Sequence, residues 1–331
     1  MVRCEQLARF SFAPRLHGRQ WMRVGHDLYR RYVDHFGVPD LIHAHGTLAA
    51  GRLSASIARR NGIPFVLTEH NTSFARRMIR PWQDAIIRPV LAQAAARIAV
   101  SPQLGRLLES RYQAEALEWQ WIPNLVAPDF RPADGANCSA TRKRFRFLNV
   151  ALLTANKGHD TLLFAMADLL AGGADVELRI VGGGPLRKSL SQLAQRLEIA
   201  SRVTFLGTLD RAAVVAEMQS ADGFVLASRH ETFGVVLVEA LACGLPVVAT
   251  VCGGPECIIE AQDGLLVPPD DVSALSQAMR QIAASQEEYP AAILRRRCLD
   301  RFGEQTVTRH IIDVYARVLG VRPALGKVEA A

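Results

Sequence analysis

From Pro39 onward, short runs of apolar and β-branched residues alternate with longer stretches in which apolar positions recur every three or four residues. That alternation predicts βαβ units on parallel sheets, an α/β fold class. In the first half, the runs at 41–44, 65–68, 97–100 and 118–122 predict strands, and helices start near Thr47, Pro81 and Pro102. The second half predicts six strands, at 147–152, 176–181, 203–206, 223–226, 247–249 and 265–267, with helices from about Asp160, Pro185, Asp210, Phe233 and Asp271. Between the halves the pattern lapses into Pro-Ala-Asp-Gly-Ala-Asn, a linker composition. The expected domains are 1–140 and 141–303, followed by an amphipathic helix at 304–320 that packs back on the first domain.

Composition narrows the class. Of 331 residues, 49% are hydrophobic and 21% charged, an ordinary globular balance. The longest apolar run, 233–252, is broken by Glu239 and Pro246 and does not read as a membrane span, and residues 1–19 show no apolar core of a secretory leader. Six cysteines without a C-x-x-C pair read as reduced packing thiols in a cytoplasmic protein, with no metal set. A net charge of +7 leaves two readings of Arg76, Arg77 and Arg80 and of Arg142, Lys143 and Arg144: a solvated surface, or contact with another polyanion or an anionic membrane on its cytoplasmic face. No basic strand interleaved with aromatics accompanies the charge, so nucleic acid is not an expected partner. Four strands against six, with no glycine turn ahead of the first, predict an N-terminal domain that is incomplete at its start.

Glu239 sits inside a helix that is otherwise apolar all round, where an ionised carboxylate needs a partner. A ligand is one answer; a backbone amide or a core arginine is the other. Glu231 precedes the same helix, and Gly234 lies at its first turn. Gly182, Gly183 and Gly184 join a strand to a helix, as an anion-receiving turn does, although Arg187 stands where a dinucleotide fingerprint needs its last glycine. Lys157 follows the first strand of the second domain, on the edge where open α/β sheets bind ligands. His43, His45 and His70 end strands of the first domain, without zinc-ligand spacing.

Together these residues resemble a family. Glu231 and Glu239 around Phe233-Gly234, then Ala240-Leu-Ala-Cys-Gly-Leu-Pro-Val-Val, Gly253-Gly-Pro-Glu256 and Asp263-Gly-Leu-Leu-Val-Pro268, resemble the retaining family-four (group 1) glycosyltransferases of the GT-B fold. The resemblance continues through Lys157-Gly-His-Asp-Thr-Leu-Leu, Val181-Gly-Gly-Gly-Pro-Leu, Phe205-Leu-Gly-Thr-Leu, Ile122-Pro-Asn and, more loosely, Pro39-Asp-Leu-Ile-His-Ala-His45. It implies two Rossmann-like parallel-sheet domains facing a cleft, a nucleoside-diphosphate sugar as co-substrate without a further cofactor, and a glycan or lipid-linked acceptor in surface polysaccharide biosynthesis. It further implies that Glu239 binds the donor ribose, that Glu231 lies beside the sugar and that backbone amides at Phe233, Gly234 and Val235 meet the diphosphate or sugar. Gly182 to Gly184 would lie near the base, Lys157 would stabilise the leaving charge without a metal, and His70 would lie close to donor sugar and acceptor.

Two positions depart from the pattern. Ala151 and Leu152 occupy the region where the family carries an arginine, a second phosphate contact, and the glycine-rich turn after the family's first strand is missing. Two readings follow, an active hexosyltransferase and a donor-binding, weakly active module that works through a partner; a sugar-nucleotide epimerase is disfavoured by the segment from Glu231 to Glu256.

Overall fold

Ten strands form among the described residues, and they sort into two sheets in which every paired neighbour is parallel. The computed structural model describes residues 14–113, 118–133 and 144–321. The chain divides into two units, Met1–Ile122 with Arg309–Ala331, and Pro123–Thr308. The boundary expected at 140, with Arg142, Lys143, Cys4 and Cys138, lies outside the described residues.

Unit 1 carries β1 (Ile42–His45), β2 (Phe65–Glu69), β3 (Ala96–Ala99) and β4 (Gln120–Trp121) in the order β1-β2-β3-β4. Its helices are α1 (Pro14–Phe36), α2 (Arg52–Asn61), α3 (Pro81–Gln93) and α4 (Pro102–Arg111). β2 opens with an apolar run because both of its faces are covered; Phe65, Val66 and Leu67 are buried, and so are Thr68 and Glu69 at its end. The fourth strand is shorter than the apolar pattern suggests. Gln120 and Trp121 are exposed at a sheet edge, with only β3 to pair against.

Unit 2 carries β5 (Phe145–Val150), β6 (Val176–Val181), β7 (Val203–Gly207), β8 (Gly223–Leu226), β9 (Val247–Thr250) and β10 (Gly264–Val267), in the order β10-β9-β8-β5-β6-β7. Its helices are α5 (His159–Ala171), α6 (Arg187–Arg196), α7 (Arg211–Gln219), α8 (Val235–Ala242), α9 (Val272–Ala284) and α10 (Ala291–Phe302). The chain lays β5, β6 and β7 outward to one side, then returns to lay β8, β9 and β10 to the other. The reversal falls between β5 and β8, and loops leaving adjacent strands at such a point diverge and open a crevice. The last helix, α11 (Glu304–Leu319), starts in unit 2 and continues into unit 1, where Val314 and Ala316 are buried. None of the described helices is long and apolar enough to cross a membrane.

Candidate functional site

In unit 2 the loops that leave β5 and β8 carry Lys157 and Glu231 to one point. Lys157 Nζ lies 2.5 Å from Glu231 Oε1, and Ser228 Oγ donates to the same oxygen at 2.8 Å. The lysine is 22% exposed and the glutamate 9%. The two loops are laced by main-chain contacts: Arg229 N–H donates to Asn156 O at 2.8 Å, and Asn156 Nδ2 donates to His230 O at 3.0 Å. Beneath them Asn149 donates to Val225 O at 2.8 Å while its Oδ1 meets His159 Nε2 at 3.1 Å. Asn149 and His159 are buried, so this tie fixes the start of α5 against β8. Burial lowers His159 to about 4, which keeps the ring neutral and its bond to Asn149 uncharged.

Glu231, Phe233, Gly234 and Val235 form the approach to α8. Gly234 caps the helix at φ 105°, a conformation that L side chains rarely adopt. Phe233 is 2% exposed and meets Phe302 edge-on at 5.8 Å, so its ring belongs to the core and only its backbone faces the approach. The helix is buried through Leu237, Val238, Ala240, Leu241 and Ala242. Glu239 is only half-buried on it, and among the described residues no hydrogen bond reaches its carboxylate. Burial is the main cause that raises it to about 7, partly offset by the field of Arg211, which is itself paired with Asp129. Neither the amide nor the core arginine that would make Glu239 structural is present among those residues.

Gly182 to Gly184 follow β6. Gly182 crosses the end of β5 so closely that a Cβ there would lie 1.9 Å from Ala151 O. Its N–H is spent on Gly207 O at 2.8 Å, and Gly183 O accepts from Leu153 N at 2.9 Å. The Gly182 amide is therefore not available to an anion. Leu152, where the family pattern has arginine, is 65% exposed. Arg229 does not replace that cation, because its guanidinium is held by Asp160 and Asp270.

In unit 1 the predicted histidines do come together. His43 Nδ1 lies 2.6 Å from Tyr315 Oη of α11 and its Nε2 2.7 Å from Thr68 Oγ1; His45 Nδ1 lies 2.9 Å from His70 Nε2. Burial, with the fields of His45 and His70, lowers His43 to about 4. The buried Glu69 carboxylate accepts from Thr47 N–H at 2.8 Å, from the Thr47 hydroxyl, and from the N–H groups of His70 and Asn71 at 2.9 and 2.8 Å. Those bonds clamp the backbone that presents His70. Beyond it, Arg76, Arg77 and Arg80 are exposed together with Met78 and Trp82.

Ser228, Asn149, His159, Arg229, Glu69 with Thr47, and Tyr315 are the contributors that sequence reasoning did not assign. Asn149 and Glu69 left a signal, each a polar residue late in a strand that is otherwise mostly apolar. Cys243, Cys252, Cys257 and Cys298 are free thiols, each pushed up to about 12 by burial.

Comparison with known proteins adds to this geometry. Residues 137–297 match the model of glycosyl transferases group 1, and residues 4–130 that of glycosyltransferase family 4. The phosphatidyl-myo-inositol mannosyltransferase of Mycobacterium leprae is 31% identical over 328 residues, covering 94% of this chain and 80% of that protein. Sucrose-phosphate synthase from Thermosynechococcus elongatus superposes with a TM-score of 0.80 at 24% identity, over 95% of this chain and 82% of that one. Anabaena HepE, solved in complex with UDP and glucose, superposes with a TM-score of 0.72 at 23% identity, over 88% of this chain and 81% of that one. These last two similarities concern the fold, GT-B.

Proposed function

This chain belongs to the group 1 glycosyltransferases, and we propose that it moves a hexosyl unit from a nucleoside-diphosphate sugar to a glycan or lipid-linked acceptor with retention at the anomeric carbon. The observation that carries this reading is the Lys157–Glu231 pair at the strand-order reversal of unit 2. A cation and a carboxylate at that crevice suit a ligand that brings both phosphate charge and sugar hydroxyls. The complex of HepE with UDP and glucose supports a donor of that class.

In this reading Lys157 and the amides of Gly234 and Val235 at the start of α8 meet the diphosphate. Glu231 accepts from the sugar, Glu239 accepts from the ribose hydroxyls, and Gly182 to Gly184 border the base. The bond from the anomeric carbon to the phosphate oxygen breaks while a bond from the acceptor oxygen forms on the same face. The acceptor's proton passes to the leaving phosphate, and no side chain becomes a covalent intermediate. Negative charge that develops on the diphosphate is met by Lys157 and backbone dipoles, so the step is metal-independent. His70 lies on the acceptor side. Arg76, Arg77 and Arg80, with Met78 and Trp82 beside them, suit contact with anionic lipid and hence a lipid-linked acceptor of surface polysaccharide assembly on the cytoplasmic face.

Incubation with a panel of nucleotide sugars, following release of nucleoside diphosphate, tests the assignment. One donor should be consumed in the presence of a membrane-extract acceptor, and Glu239→Ala should weaken its binding. Binding that survives Glu239→Ala unchanged removes the ribose assignment. The exposed Leu152, in place of a second phosphate contact, favours a second reading, a donor-binding and weakly active module; binding of a donor without any release of nucleoside diphosphate would select it.

A further inference from the structure

In unit 1, α1 packs on α2 through Gly25, where Leu53 fills the space of the missing side chain: its Cδ2 lies 2.3 Å from the point a Cβ would occupy. Between the two helices lies a cavity of about 1060 Å³. Four arginines line it, Arg23 and Arg30 from α1 and Arg52 and Arg60 from α2, against one carboxylate, Asp27. That carboxylate is engaged by Arg30 on its own helix. Arg23, Arg52 and Arg60 make no hydrogen bond and no ion pair among the described residues.

A solvated basic face spaces its charges or pairs them, and this lining does neither. The crowding is felt by His26, which lines the same cavity with Nε2 3.1 Å from Ser56 Oγ: burial, with the fields of Arg60 and Arg30, lowers its pKa. Tyr29 is a further lining residue, and its hydroxyl is buried without a hydrogen-bond partner. A buried O–H that has lost its water needs an acceptor, and most such groups have one. The free guanidiniums need the same thing. What the cavity lacks is an anionic group made of acceptors.

We propose that the cavity between α1 and α2 binds a phosphate group, carried by a phospholipid headgroup or by a soluble phosphorylated compound. The planar forks of arginine match phosphate oxygens in charge and in geometry, and a phosphate oxygen is an acceptor for the Tyr29 hydroxyl as well. The site belongs to unit 1 and shares no residue with the Lys157–Glu231 pair of unit 2. It therefore stands or falls apart from the donor assignment made above.

Calorimetry of the full chain with inorganic pyrophosphate tests the site. Arg23→Gln/Arg60→Gln removes one exposed guanidinium from each helix, and Lys157→Ala removes the cation of unit 2. Binding should persist in Lys157→Ala and weaken at least about tenfold in Arg23→Gln/Arg60→Gln. Tyr29→Phe keeps the ring and should weaken it about three- to tenfold. Arg31 and Arg59 are exposed on the same helices outside the cavity, so Arg31→Gln/Arg59→Gln lowers the net charge equally and should bind as the wild type does. An equal loss in that control reduces the effect to net charge and overturns the proposal, as does pyrophosphate binding that is unchanged in Arg23→Gln/Arg60→Gln or that vanishes in Lys157→Ala. Co-sedimentation with phosphatidylcholine vesicles, with and without phosphatidylglycerol, distinguishes the two sources. Retention by phosphatidylglycerol that is lost in Arg23→Gln/Arg60→Gln assigns the site to a lipid headgroup; retention equal to the wild type, with pyrophosphate binding lost, assigns it to a soluble phosphate.

Discussion

The two units bring polar side chains together in opposite ways. In unit 2 the sheet reverses its order between β5 and β8, and Lys157 and Glu231 arrive from loops 74 residues apart. In unit 1 the described strands run β1-β2-β3-β4 without reversal, and the histidine cluster comes from the ends of paired strands, with His45 opposite Thr68. The first cluster carries formal charge. The second consists of imidazoles and hydroxyls, with His43 held neutral by burial. A charged crevice suits a diphosphate, and an edge of imidazoles and hydroxyls suits a hydroxyl that must give up a proton. The contrast predicts that binding and transfer are separable by mutation.

Lys157→Ala tests it most severely. Loss of a charge-stabilising group at a leaving phosphate costs roughly 10²- to 10³-fold in kcat, read as nucleoside diphosphate release. His70→Ala comes next. Transfer should fall by about 10²-fold while donor affinity by calorimetry stays at the wild-type value; a parallel loss of donor affinity would break the division between the units.

Glu239 gives a smaller, pH-dependent effect. Burial raises it to about 7, so the carboxylate proposed to accept from the ribose forms as pH rises through 7. Donor affinity should increase from pH 6 to 8 and stay flat in Glu239→Gln; superimposable curves would remove the residue from the binding site. The same titration acts on stability. Between its ordinary value of 4.5 and about 7 the folded chain holds a proton that the unfolded chain has lost, so Glu239 adds stability as pH falls through that window. His43 and His159, lowered from 6.5 to about 4, act in the opposite direction, because the unfolded chain takes up their protons first. Urea midpoints should therefore fall more steeply on acidification from pH 7 to 4.5 in Glu239→Gln than in the wild type. The smallest effect belongs to Asn149→Ala, which leaves the Val225 carbonyl and His159 without their partner. It should cost about 1–3 kcal/mol in urea unfolding, and with it some order in the Lys157 loop.

The α/β layout was legible in the chain because parallel strands covered on both faces are mostly apolar, as β8 and the first three residues of β2 are. The edge strand β4 was overestimated for the converse reason: Trp121 is apolar yet exposed, so its hydrophobicity reports no burial. The individual site residues could be proposed from strand ends, but their partnerships could not. His43 and Tyr315 are 272 positions apart, and which strands become neighbours depends on packing of the whole sheet. The glycine turn shows the limit of local pattern. Three glycines in a row promise free amides, whereas the Gly182 N–H is spent on the end of the neighbouring strand β7, which only the fold brings alongside.

The ion pair between Lys157 and Glu231 has a consequence for selectivity. Without ligand, the lysine already has a counter-ion, and Glu231 is fixed in that role by Ser228. A bare anion such as inorganic phosphate can reach the lysine only by stranding a poorly solvated carboxylate, which raises its cost of entry. On the proposed function, a sugar diphosphate brings hydroxyls with its phosphates and so gives Glu231 a replacement partner as it takes the old one away. On the function proposed above, the pair is an exchange contact that favours molecules with both chemistries over those with only one.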